Sequence, residues 1–587
     1  MRLAVASERA GPRRRPQREG FAARRHSALL WKDRVTGERE AMQIIDSPMT
    51  GLMQDHPLQV SALLRYAEAA HPGREIVSRQ VDGSIFRYDN RGLARRVAQA
   101  ANMLRSLGIV PGDVVSSLAW NTHRHLELFY AVPGIGAVLH TANPRLSDDH
   151  VAYTIDHAGS HVLLIDESFV DLAVRLLPRL GKIETVILLG DRAGDAIGAL
   201  SYEALLRDRP DIVEWPWLTE RSGAFLCYTS GTTGDPKGVL YSHRSIVLHA
   251  YAAGLSGALG FSAFDCVMPC QSMYHATAWG LPFAAAINGC KIVLPCDRMD
   301  GASLQELIQA EGVTFSGGVP TIWTMYLDHL RRSGQGVGSL ERIVIGGSAV
   351  PRAMATTFQS HGVEVRQLWG MTETSPVGVI ASPTPAIETH GADARDEIVW
   401  TRQGRLQFGI ELRIVDEEGR ALPHDGRSAG ALHVRGPWTV ERYFRSEASA
   451  LDDDGWFDTG DIATIDADGF MRITDRSKDV IKSGGEWVSS IDLENAAMAC
   501  AGVKIAAVIG AFHPKWEERP VLIVEAHAGD RVTEEAIREH LARAVVKWWM
   551  PDRIIFDTVP LTATGKIAKR ELRERYANCL SSGHRSA

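Results

Sequence analysis

The sequence predicts an α/β protein with a large N-terminal domain of βαβ-rich sheets and a small α+β domain at the C-terminus. Three observations carry that expectation. First, from about Leu58 apolar runs alternate with helical patterns, as in Leu304, Leu307 and Ile308, then Val313 to Phe315, then Arg342 to Ile345. Such alternation reads as parallel βαβ units. Second, glycine-bearing segments fall just past strand-like runs, where open α/β sheets bind their ligands. Ala224 to Cys227 runs into a Gly/Thr-rich loop, Ile343 to Ile345 into Gly346-Gly347, and Val365 to Leu368 into Trp369-Gly370-Met371-Thr372-Glu373. Third, Asp475 to Gly485 turns charged and glycine-containing, which marks a domain boundary.

Taken in order, the chain opens on Arg13, Arg14, Arg15, Arg18, Arg24 and Arg25 with little apolar periodicity. Residues 1–48 are expected to be a disordered extension. Glu8, Glu19, Glu38 and Glu40 dilute a mitochondrial presequence pattern, so a start upstream of the true one is preferred. Residues 49–477 then form the large domain and residues 478–587 the small one. In the latter, apolar runs Ile505 to Ile509 and Val521 to Val524 precede a helix capped by Thr533, with Ile537, Leu541, Ala544 and Val545 on one face.

Composition narrows the function classes. At 587 residues and 45% hydrophobic the chain can bury more than one core. A net charge of -7 argues against a surface that tracks nucleic acid throughout. No apolar run reaches the ~20 residues needed to span a bilayer, so membrane contact is at most peripheral. Seven cysteines, an odd number without a Cys-x-x-Cys pair, suit a reducing compartment, and a cytoplasmic location is expected. Cys266, Cys270, Cys290, Cys296 and His275 are too irregularly spaced to read as metal ligands.

The most informative stretch is Tyr228 to Gly238, Tyr-Thr-Ser-Gly-Thr-Thr-Gly-Asp-Pro-Lys-Gly. Gly231, Gly234 and Gly238 let backbone N–H groups converge on one concavity. Thr229, Ser230, Thr232 and Thr233 add hydroxyl donors, and Lys237 adds a charge. This is what a polyphosphate needs. Pro236, directly before the lysine, breaks the Walker spacing and weakens the kinase and GTPase readings.

Four further motifs follow: Met273-Tyr274-His275 through Trp279; Trp369-Gly370-Met371-Thr372-Glu373; Gly455-Trp456-Phe457-Asp458-Thr459-Gly460-Asp461; and Thr564-Gly565-Lys566. With the loop, they stand in the order seen in the adenylate-forming superfamily of acyl-CoA synthetases, nonribosomal-peptide adenylation domains and luciferases, which the chain resembles from about Leu58 to Tyr576. Gly136 to Arg145 and Lys482-Ser483-Gly484-Gly485-Glu486-Trp487 resemble the bacterial medium- and long-chain fatty acid:CoA ligases.

That resemblance implies an acid-thiol ligase of fatty acid metabolism. A carboxylate attacks the α-phosphate of ATP to give acyl-AMP and pyrophosphate, and the thiol of coenzyme A then displaces AMP. It implies Mg2+ held by Glu373 and Thr229, with ATP and CoA as co-substrates. Thr229, Ser230, Gly231, Thr232, Thr233, Gly234 and Lys237 would hold the nucleotide with Gly347, Gln367, Trp369, Gly370, Thr372, Asp461, Arg476 and Lys478. Thr372 would bind the α-phosphate and Asp461 the ribose hydroxyls. Lys566 would stabilise charge during adenylation. The small domain then reorients about a hinge at Lys478, bringing Lys482 and Gly484 to the second step. His275 and Trp279 would flank the acyl and adenine pockets. Gly484 and Gly485 would let the pantetheine arm pass, and Trp487 would gate the acyl tunnel. Some relatives pair as homodimers, which is the expectation here.

Two departures bear on the acid. Leu368 stands where such ligases carry glycine and Trp369 where they carry tyrosine, so added bulk would reshape the acyl pocket. A ligase for the short acid 3-methylthiopropionate is the alternative. An acyl-AMP ligase serving a carrier protein is another, although no Asp-Ser-Leu module follows Lys566 and Ala276-Thr277-Ala278-Trp279 lacks an amino-binding aspartate. A non-catalytic binder would have lost Lys566 or Glu373, and both are present. A luciferase-type oxidation shares every motif.

Overall fold

The computed structural model describes residues 51–229, 235–389, 400–483, 486–527, 529–562 and 566–580, with Met49, Gly391 and Asp396. The extension expected over residues 1–48 lies outside them.

Among the described residues the strands form sheets of thirteen, seven and five. The seven-stranded sheet runs Leu200–Ser201, Thr185–Leu188, Val162–Ile165, Val114–Leu118, Val138–Thr141, Gly223–Tyr228, Gly238–Ser242. Its strands are parallel up to the last, which returns antiparallel to Gly223–Tyr228. Val138–Thr141 and Val162–Ile165 are buried at every position, as strands covered on both faces must be. The Gly/Thr loop thus follows a strand's carboxyl end, as expected, but returns into a second strand rather than a helix.

The thirteen-stranded sheet has two characters. From Glu364–Gly370 through Arg342–Gly346, Phe315–Gly318, Cys266–Pro269 and Lys291–Leu294 to Glu75–Arg79 its strands are parallel, the βαβ half that the alternating pattern predicts. On the other flank of Glu364–Gly370 the neighbours Val377–Ile380, Gly404–Leu406, Phe470–Arg476, Phe457–Ile465, Gly430–Arg435 and Glu411–Val415 are all antiparallel. Between the sheets, Phe129, Phe225 and Phe283 pack with ring centroids 5.1 to 5.7 Å apart. All three are fully buried, worth roughly 1.5–3 kcal/mol apiece.

The small domain pairs Val503–His513 with Glu517–Ala526, which contain the two predicted apolar runs, and adds Ile481–Ser483, Glu486–Val488 and Arg553–Phe556. Thr533 caps the helix Glu534–Ala544 by accepting from Ala536 N. Ile537 and Leu541 are buried as predicted and Val545, the C-cap, packs partly buried against the same core, whereas Ala544, in the last turn, is exposed. The chain leaves the large sheet at Arg476 and enters the small one at Ile481. Across this connector Asp475 accepts from Ser490 N at 2.6 Å and from the Ser490 hydroxyl at 3.0 Å, and Arg573 pairs with Asp479 at 2.6 Å.

Candidate active site

The nucleotide-type loop is closed at its base by two reciprocal bonds: Thr229 N donates to Lys237 O at 2.9 Å, and Lys237 N to Thr229 Oγ1 at 3.1 Å. Ser230, Gly231, Thr232, Thr233 and Gly234 lie outside the described residues. The Lys237 ammonium sits 4.7 Å over the Tyr443 ring, and the Tyr443 hydroxyl donates to Glu373 Oε1 at 2.9 Å. Tyr443 therefore joins two predicted site residues. Nothing in Glu441-Arg442-Tyr443-Phe444 singled it out.

Strand Glu364–Gly370 delivers the next group of residues. A Cβ on Gly370 would lie 1.8 Å from Pro376 O, so glycine is required there. Thr372 and Glu373 form the turn that follows. The Tyr241 hydroxyl donates to Thr372 O at 2.6 Å, and Val440 N donates to Glu373 O at 2.8 Å, which ties this turn to the seven-stranded sheet and to the segment that follows Gly430–Arg435. Glu373 is only 7% exposed, and burial raises its carboxyl pKa despite the opposing Tyr443 bond and the nearby Lys566 and Arg476 cations. Gln367 directs its amide to Trp400 O at 2.7 Å.

Asp461, 5% exposed, accepts from Trp369 Nε1 at 2.8 Å through Oδ2 and pairs with Arg476 Nε at 3.2 Å through Oδ1. The bulk that sets this chain apart is thus placed twice. Trp369 turns to Asp461, and Leu368 packs against Gly346, where a Cβ would meet Leu368 Cδ1 at 2.5 Å.

Lys566 reaches in from the small domain. A Cβ on Gly347 would sit 3.2 Å from Val319 Cγ1 and 3.9 Å from both Lys566 Cε and Trp279 Cζ2. Burial, with Arg476 and then Lys478 adding like charge, lowers the Lys566 ammonium to about 8 against the pull of Asp461 and Glu373. His275 is lowered to about 4 by burial and by Lys566, so it is neutral near pH 7. Lys478 is exposed on the connector, and Lys482 is exposed on Ile481–Ser483 with its N–H on Glu518 Oε2 at 3.0 Å. Gly484, Gly485 and the Trp487 side chain lie outside the described residues.

The wall around Trp279 is unusual. Ala276, Thr277, Ala278 and Trp279 have φ of 43, 49, 53 and 57°, four consecutive left-handed residues without a glycine. Each costs roughly 1–2 kcal/mol, so the turn needs outside support. Gln271 Nε2 donates to Ala278 O at 2.6 Å, and the His249 ring lies 2.6 Å from where a Gly280 Cβ would be. His249 Nε2 also accepts from Val377 N at 3.2 Å, linking this wall to the strand beside the Glu373 turn. Asn121 fixes the Gln271 backbone, donating to Gln271 O at 2.9 Å. None of these supports was anticipated. A polar residue closing the apolar run Cys266 to Cys270 was the one available signal.

The arrangement brings Glu373, Asp461, Arg476, Lys237 and Lys566 into one neighbourhood, with Lys566 supplied by the small domain. Residues 64–444 match the family model described as AMP-binding enzyme, and residues 492–566 that of the AMP-binding enzyme C-terminal domain. The chain is 43% identical to a 3-methylmercaptopropionyl-CoA ligase of Ruegeria lacuscaerulensis, covering 91% of this chain and 100% of the relative. It is 43% identical to a medium-chain-fatty-acid–CoA ligase of Ectopseudomonas oleovorans (91% and 98%) and 44% to a long-chain-fatty-acid–CoA ligase of Thermus thermophilus (90% and 97%). Among solved structures it superposes on an anthranilate CoA ligase in complex with anthranoyl-AMP, with TM-score 0.80 and 25% identity over 90% of this chain and 99% of that one.

Proposed function

The chain belongs to the AMP-binding enzyme family, and from that premise we propose that it is an AMP-forming acyl-CoA ligase acting on an aliphatic carboxylic acid. The observation that carries the proposal is Lys566 inserted beside Gly347 and Trp279, in the same cleft as Glu373 and Asp461. In the first step a carboxylate oxygen bonds to the α-phosphorus of ATP as the bond to the β-phosphate breaks and pyrophosphate leaves. Lys566 donates to the charge that grows there, an effect worth ~10²-fold or more. Asp461 takes the ribose hydroxyls, since a carboxylate has about four acceptor sites and Trp369 and Arg476 use two. In the second step the CoA sulfur bonds to the acyl carbon, the bond to AMP breaks, and acyl-CoA and AMP depart.

Mg2+ fits the donors present: Glu373 offers a hard carboxylate and Thr229 a hydroxyl, which suffices for an ion that takes its other ligands from phosphates and water. When bound it neutralises charge on the leaving pyrophosphate. We place the hinge at Lys478, within the connector 477–480, with Lys482, Gly484 and Gly485 serving the second step after reorientation, and His275, Trp279 and Trp487 on the acyl side. All seven cysteines are free thiols, which supports a cytoplasmic setting. Among the described residues no helix is long and apolar enough to cross a membrane.

The acid is of medium to long chain by likeness to the two fatty-acid ligases, with 3-methylmercaptopropionate the second reading, on the relative of equal identity. Pyrophosphate release over acids of graded length, with ATP, Mg2+ and CoA, tests both. If no acid yields an acyl-adenylate, the proposal fails. Release confined to 3-methylmercaptopropionate selects the second reading.

A further inference from the structure

Gln271 is 4% exposed and makes one side-chain hydrogen bond, Nε2 to Ala278 O at 2.6 Å. Its Oε1 is buried without a hydrogen-bond partner among the described residues. The surroundings are apolar. Oε1 lies 3.3 Å from where a Gly317 Cβ would be, with Val344 Cγ1 and Leu281 Cδ1 at 2.9 and 3.1 Å from the same point. An amide oxygen in such a place is costly unless something donates to it.

Its location relates it to the acid. Gly317 and Val319 are two residues apart on extended backbone, so they face the same side, about 6.6 Å apart. Val319 touches the point shared by Gly347, Trp279 and Lys566. The orphan oxygen is therefore one pleat deeper than the place where the carboxylate is activated, directly behind the left-handed turn that carries Trp279. The other orphan nearby, Trp323 Nε1, lies 3.4 Å from a Cβ on Gly318 and hence on the opposite face, in a separate apolar core.

We propose that Gln271 is a specificity-determining residue that selects acids bearing a hydroxyl a few carbons from the carboxyl group, the hydroxyl donating to Oε1 while Nε2 holds the turn. The inference rests on the acid-activating function above. A hydrocarbon chain passing Trp279 leaves the oxygen unpaired, whereas a hydroxyl at the matching depth satisfies it. Sites built to hydrogen-bond a substrate group discriminate more strongly than apolar slots do.

The test uses full-length protein with ATP, Mg2+ and CoA. Pyrophosphate release is measured for a straight-chain acid and for the same acid with the hydroxyl moved one carbon at a time. One hydroxyl position should exceed both its neighbours and the plain acid by about tenfold or more in kcat/KM. In Gln271→Leu the ratio of kcat/KM for the peak acid to that for the plain acid should fall to about one, a ratio that loss of the Nε2 bond to Ala278 O, felt by both acids alike, does not move. A wild-type series in which no hydroxylated acid exceeds the plain one overturns the proposal without recourse to the variant, as does a peak that survives in Gln271→Leu. Activity with plain acids alone would leave the ligase function standing and remove the role of Gln271. Activity with no acid at all would remove the ligase function itself.

Discussion

Trp369 Nε1 and Asp461 Oδ2 are 2.8 Å apart, joining the strand that precedes Glu373 to one ninety-two residues later. The indole holds one oxygen of the carboxylate while Arg476 holds the other, so the aspartate is fixed before any nucleotide arrives. Prior fixation lowers the ordering cost of binding.

Trp369→Phe removes this donor while keeping an aromatic ring. Hydrogen bonds to charged groups contribute about 1.5–3 kcal/mol, so the KM for ATP should rise roughly tenfold, with the KM for the acid changing less. An unchanged ATP KM would mean that the indole only fills space.

Lys566→Ala should reduce acid-dependent ATP–pyrophosphate exchange by ~10²-fold or more. CoA transfer from supplied acyl-AMP should survive. Intact exchange would contradict the donor role given to this lysine.

The same lysine sets a pH limit. Its ammonium titrates at about 8 in this closed arrangement, so it is charged below that pH and neutral above it. Free-enzyme kcat/KM for adenylation should therefore decline as pH rises through about 8, not near the ordinary lysine value of about 10.4. A profile flat to pH 10 would refute this. His275, at about 4, should contribute no limb near neutrality.

Tyr443→Phe takes the hydroxyl away from Glu373. Burial already raises that carboxyl, and the Tyr443 bond opposes the rise, so its loss moves the pKa further up. The acid limb of activity should shift to higher pH and the Mg2+ concentration for half-maximal exchange should increase several-fold. Identical Mg2+ titrations of wild type and variant would separate Tyr443 from the metal.

Local chemistry was legible in the sequence. The strand running to Tyr228, the strands ending one or two residues past the expected positions at Gly346 and Gly370, and the Thr533 cap depend on residues close in sequence, where spacing carries the information. The antiparallel half of the large sheet was not, because its strands pair in an order that no periodicity encodes. Tyr443 and Glu373 meet across seventy residues. The left-handed turn at Ala276 to Trp279 was equally hidden, since alanine, threonine and tryptophan carry no preference for it; Gln271 and His249 hold it from outside.

The strand Glu364–Gly370 is a seam, with a parallel partner on one edge and an antiparallel partner on the other. Gly347, Val319 and Gln271 come from the parallel side, whereas Asp461 and Arg476 come from the antiparallel side. On the proposed assignment, Gln271 and the turn it braces can be exchanged along with the acid, while the Asp461–Arg476 pair across the seam keeps its hold on the ribose.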